Sequence, residues 1–114
     1  MPEIDPEVLH GLYYKLKGYN EGQFIHDLIQ AFRELMPVRI SKMKEALNHK
    51  DLHELRKISH SAKSAAAIVG AVVLEKKFAA LEIAPESVDA ATLAALELDY
   101  AAADKFLSEI NWPS

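Results

Sequence analysis

A chain of 114 residues, half of them hydrophobic, suits one domain built around one core. It has no cysteine, which excludes disulfides, thiolate metal sites and cysteine nucleophiles and is compatible with a reducing compartment. The formal net charge of −4 gives a nucleic-acid role no support, and no basic leader or run of ~20 apolar residues suggests export or a membrane span. The expectation is therefore a cytoplasmic protein without nucleic acid or membrane among its partners. Glycine (4) and proline (5) are few, while Ala, Leu, Glu and Lys are plentiful, a balance that favours helices.

Five helical segments follow in chain order. Asp5-Pro6 reads as an N-cap with proline at the first helical position, where its missing N–H costs nothing. A short helix over about 6–17 carries Val8, Leu9, Leu12, Tyr13 and Leu16, and Gly18 is placed to end it. The second helix, about 21–48, starts after Asn20. It repeats Ile25, Leu28, Phe32, Leu35, Met36, Ile40, Met43 and Leu47 at steps of three and four. Pro37 removes one backbone bond and crowds the Arg33 carbonyl, which predicts a kink or a break there.

Asn48-His49-Lys50 is the next turn, and Asp51 with Glu54 makes a capping-box-like start for a third helix, about 52–69. Gly70 is the stop. The fourth helix, about 71–83, presents Ala71, Leu74, Phe78 and Leu81, and Pro85 ends it. Ser87 or Asp89 then caps a fifth helix, about 89–110, with Leu93, Leu96, Tyr100, Ala103, Leu107 and Ile110 on one stripe. No stretch shows sustained period-2 alternation, so no strand is assigned. Short connections predict an all-α, antiparallel up-down four-helix bundle in a single domain over 1–114, with the short N-terminal helix as a cap.

The third helix carries the chemistry. At ~100° per residue, Leu52, Leu55, Ile58, Ala62, Ala65, Ala66 and Val69 gather on one side. His60 falls nearly opposite, among His53, Arg56, Lys57, Lys63, Ser64 and Ala67. Arg56, Lys57 and Lys63 surround the imidazole with positive charge in an acidic protein, and Ser64 and Ala67 leave a shallow bare strip beside it. A neutral imidazole is a competent nucleophile near pH 7. Lysine and arginine can hold an added phosphoryl group by charge-assisted hydrogen bonds, and small neighbours let a partner approach. Taken alone, the pattern also fits an ordinary exposed histidine on a solvated basic face.

His60-Ser61-Ala62-Lys63-Ser64, followed by Gly70-Ala71, resembles the signature of the histidine phosphotransfer (HPt) domain family. Phe32, the Leu47 turn with Asp51, Leu74 and Leu81-Glu82 fit the helices that frame it, so the resemblance covers about 20–83. It implies that His60 is the phosphoacceptor, that Lys63 stabilises the phosphoryl group and that Gly70 turns the third helix into the fourth. His53, Arg56, Lys57, Ser64 and Ala67 are the expected partner-binding residues. The departure is Ser64, where the family usually has glycine. Serine is small, so docking is expected to survive, with its hydroxyl one turn from the ring.

The resemblance implies a phosphoryl carrier without kinase activity of its own. It would take the group from a receiver-domain aspartate and pass it to another receiver, its partners being receiver domains of hybrid sensor kinases and response regulators. No cofactor of its own is implied, Mg²⁺ being supplied by the receiver, and a monomer is expected. Two alternatives stand beside this. One is an HPt-like adaptor that binds a receiver without accepting phosphate. The other is a metal- or ligand-binding bundle using His49 and His53, four apart, or the aromatics Tyr13, Tyr14, Phe24, Phe32 and Phe78. Residue 49 falls in a turn and no third ligand follows, so no metal site is assigned. His10 and His26 carry no signal, and Trp112 either folds back on the bundle or is exposed.

Overall fold

The computed structural model describes residues 21–109. Helix α1 spans Glu21–Asn48, α2 Leu52–Ile68, α3 Val72–Ile83 and α4 Ala90–Glu109, with a 3-10 turn at Pro85–Ser87. No strand occurs among the described residues. These helices are the second to fifth of the sequence reading, with ends displaced by a residue at most. Val69 and Ala71 flank α2 and α3 instead of belonging to them, and Asp89 precedes α4. The first predicted helix, with His10, Tyr13 and Tyr14, lies outside the described residues, as do the side chain of Phe24, Ile110 and Trp112.

Each helix packs on two others, α1 on α2 and α4, and α3 on α2 and α4, which closes a bundle around one core. Helix α1 contributes Ile29, Phe32, Met36, Ile40 and Met43, the steps of three and four that put one stripe inward. Helix α2 adds Leu55, Ile58, Ala62 and Ala66, α3 adds Leu74, Phe78 and Leu81, and α4 adds Leu93, Leu96, Ala103 and Leu107. Phe78 and Leu96 are fully buried, each worth about 2–3 kcal/mol relative to an exposed position.

The apolar stripes are narrower than the sequence suggests. Leu35 is 47% exposed and Leu52 46%. Leu35 sits about 100° from the middle of the buried stripe of α1, and Leu52 opens α2 next to the turn. A second correction concerns the break, one of the two outcomes expected at Pro37. Helix α1 is not broken there, and its 28 residues form one continuous element. The 3-10 turn is a third difference. Pro85 starts it at the first position, where a fixed φ is pre-set for a helical turn.

The helix ends follow local chemistry. The Asp51 carboxylate accepts from the Glu54 amide at 3.0 Å, while the Asp51 amide donates to Ala46, so only half of the capping box forms. Asp89 caps α4 by accepting from the Thr92 amide at 2.8 Å, and the Ser87 hydroxyl donates instead to the Ala84 carbonyl. Gly70 takes φ 74°, and the Ala71 and Gly70 amides donate to the Ala66 and Ala67 carbonyls. That pair of bonds closes α2 with a left-handed residue. Lys50, at φ 54°, ends α1 by the same pattern, with Asp51 and Lys50 donating to Ala46 and Leu47.

Candidate functional site

The inward positions of α2 are taken by Leu55, Ile58, Ala62 and Ala66, which leaves His60 on the outward side with its side chain 64% exposed. Its neighbour Ser59 is fully buried, and its hydroxyl donates to the Leu55 carbonyl at 2.8 Å, so no polar atom is orphaned behind the histidine.

The imidazole is held from the next helix. Nδ1 of His60 lies 2.6 Å from Oε1 of Glu82 on α3, and Nζ of Lys63 donates to Oε2 of the same carboxylate at 2.6 Å. The helices that carry His60 and Glu82 pack directly on one another. The buried side of α2 includes the small residues Ser59, Ala62 and Ala66, all fully buried, and small side chains allow neighbouring helices a close approach. The hydrogen bond from Lys63, then that from His60, holds the Glu82 carboxyl below the usual carboxylate range, against the opposing effect of desolvation. An ionised carboxylate only accepts, so Nδ1 carries the hydrogen and, in the neutral ring, the lone pair is on Nε2. The site is thus an oriented imidazole, with one nitrogen anchored, the other open to solvent, and an ammonium one turn away.

The contact made by Glu82 is what sequence reasoning missed. Leu81-Glu82 enters the family resemblance only as part of a framing helix, and nothing within a turn of Glu82 marks it as a partner of His60. The sequence placed only positive charge around the ring, whereas the charged group bonded to it is a carboxylate.

The other nominated residues separate into two flanks. Lys63 is 32% exposed and stands on the α3 side. Lys57 stands on the other side, where it lines a groove between α1 and α2 with Leu35, Val38, Arg39, Lys42 and Ser61. His53 and Arg56 are exposed on the outer face, and among the described residues neither Arg56 nor Lys57 forms an ion pair. Ala67 is half-buried. The Ser64 hydroxyl donates to the His60 carbonyl at 3.2 Å and so turns back onto its own helix. Gly70 lies at the end of α2, where it shapes the link to α3.

Among the described residues no three ligating side chains gather as a metal would need, and His49 and His53 have no third partner. Phe32 and Phe78 are buried in the core, and Phe32 also lines a small open cleft with Leu28, Leu35 and Ile68. No helix among the described residues is long and apolar enough to cross a membrane.

A family model described as Hpt domain matches residues 27–106, a span that contains the groove, His60, Lys63 and Glu82. Comparison with curated proteins and with solved structures returned no significant match.

Proposed function

The chain belongs to the Hpt domain family, whose modules carry phosphoryl groups in phosphorelays, and from that premise we propose that it accepts such a group on Nε2 of His60. The single observation that supports this most is the Glu82 carboxylate shared by His60 and Lys63, each at 2.6 Å. The Nε2 lone pair attacks the phosphorus of a receiver's aspartyl phosphate, the N–P bond forms, and the P–O bond breaks to release the aspartate as a carboxylate. The ring then bears substituents on both nitrogens and a positive charge, which the Glu82 carboxylate balances through Nδ1. Lys63, one turn from the ring, can shift an N–H toward the phosphoryl oxygens without leaving Glu82. Attack by a second receiver's aspartate reverses the chemistry.

The groove supports a docking role on the α1 side. Leu35 and Val38, each 47% exposed, supply apolar contact along the α1 wall of the groove, and Arg39, Lys42 and Lys57 outnumber the Glu54 carboxylate there, a positive balance that favours a partner carrying an acidic active site. His53, Arg56, Ser64 and Ala67 extend that face around His60. The partners in this reading are receiver domains of hybrid sensor kinases and response regulators. The protein is a carrier with no kinase activity of its own, acting as a cytoplasmic monomer. Among the described residues the carboxylate bonded to the ring is that of Glu82, and it is already engaged by Lys63, which supports leaving the divalent cation to the receiver. Short connections support an antiparallel order of the helices.

The test is phosphotransfer from a panel of phosphorylated receiver domains to the parent and to His60→Gln. Acid-labile, base-stable label on the parent and none on the variant, with unchanged melting, is the expected result. Binding of a receiver without any label on the parent would replace the carrier reading with the adaptor.

A further inference from the structure

In an α-helix the amide of residue 37 donates to the carbonyl of residue 33. Pro37 has no amide hydrogen, so the Arg33 carbonyl loses its donor in the middle of α1, and proline at such a place ordinarily kinks or breaks a helix. Here α1 continues unbroken, and the Arg33 carbonyl does have a donor. The Tyr100 hydroxyl, from α4, donates to it at 2.6 Å.

We infer that the Tyr100 hydroxyl stands in for the amide hydrogen that Pro37 lacks, and that it thereby positions the α1 wall of the groove that faces Lys57 and Ser61 of the helix carrying His60. The second half of this inference rests on the carrier reading above; the first does not.

Five observations carry it. The hydroxyl has one hydrogen, and the alternative acceptor, Asp104, is 3.4 Å away, so the hydrogen goes to the carbonyl. Burial, and then the Asp104 charge, pushes the phenol up to about 12, which keeps that hydrogen in place at neutral pH. The ring itself is fixed, tilted at 42° to Phe32 with centroids 6.0 Å apart. Arg33 is also held by its side chain, whose Nε donates to Asp104 Oδ1 at 2.7 Å, one turn along α4 from Tyr100. Residues on both sides of the proline, Leu35 before it and Val38 and Arg39 after it, line the groove with Lys57 and Ser61. Their relative placement depends on how α1 passes Pro37. Tyr100 is a positioning residue in this scheme, since it touches neither His60 nor the groove.

The experiment is a double-mutant cycle on the full chain with Tyr100→Phe, Pro37→Ala and the two combined. Alanine at position 37 restores the backbone donor, so the hydroxyl should matter only while Pro37 is present. Tyr100→Phe alone should raise the unfolding equilibrium constant about tenfold, the order expected for a carbonyl left without a partner. In the Pro37→Ala background the same change should cost about twofold or less. With a phosphorylated receiver, Tyr100→Phe should raise the half-saturating concentration several-fold and leave the saturated rate intact, and Pro37→Ala should bring the curve back. Equal costs in the two backgrounds, or no cost in the parent, would overturn the substitution of hydroxyl for amide. An unchanged half-saturating concentration would overturn the positioning role. If no receiver labels His60, the carrier reading fails by itself, and the unfolding cycle still decides the relation between Tyr100 and Pro37.

Discussion

The Glu82 carboxylate accepts from Nδ1 of His60 at 2.6 Å across the interface of α2 and α3. The contact leaves Nε2 as the nitrogen that faces solvent, and it brings a counter-charge to the ring before any phosphoryl group arrives. Because Lys63 bonds to the other oxygen of the same carboxylate, the three residues act as a unit.

Replacing Glu82 should therefore affect chemistry more than folding. Glu82→Ala should lower the fraction of Nδ1–H tautomer seen by ¹⁵N NMR and slow phosphotransfer by about tenfold, a factor typical of losing one oriented charge-assisted bond. Glu82→Gln, which can still accept from Nδ1, should lose less. An unchanged tautomer ratio in Glu82→Ala would remove Glu82 from its orienting role.

The same carboxylate gives stability a pH dependence. Its folded pKa is held below the ordinary carboxylate value by the hydrogen bond from Lys63 and then that from His60. The contribution is fully present above the unfolded pKa and disappears as acid protonates the carboxylate through its lower folded value. Urea midpoints of parent and Glu82→Gln should therefore differ most above about pH 5 and converge toward pH 3. A gap that widens in acid would contradict the assignment.

Lys63→Ala should leave thermal stability nearly unchanged, since a partly exposed ion pair contributes little. The expected loss is in transfer, by about tenfold or more, with a shorter phosphohistidine lifetime and receiver binding retained. Lys63→Arg should keep part of the rate. Equal lifetimes in parent and alanine variant would show that the ammonium does not meet the phosphoryl group.

The two left-handed residues that end α1 and α2 should respond in opposite directions. Gly70→Ala places a Cβ at φ 74° and should destabilise by about 1 kcal/mol. Lys50→Gly relieves the same strain at φ 54° and should stabilise by a few tenths to about 1 kcal/mol. Chemical denaturation of both variants checks this, and a neutral Gly70→Ala would mean that the α2 end tolerates a side chain.

The sequence by itself determined what one or two turns of chain can decide. The helix spans follow from apolar residues at steps of three and four, the stop at Gly70 from its freedom at positive φ, and the cap at Asp51 from its reach to the Glu54 amide. His60 and Lys63 were legible together because three residues along a helix are neighbours on its surface. Only the tertiary structure decided which groups meet across helices. Glu82 lies 22 residues from His60, and Tyr100 lies 67 from the Arg33 carbonyl that Pro37 deprives of its donor. Leu35, an ordinary core leucine by periodicity, becomes a groove residue because it sits at the edge of the stripe that α1 turns inward. Local propensity and periodicity say how each helix is built and which side is apolar. The approach and rotation of the helices are set by packing of small and large side chains from distant segments, and those fix the partners of His60.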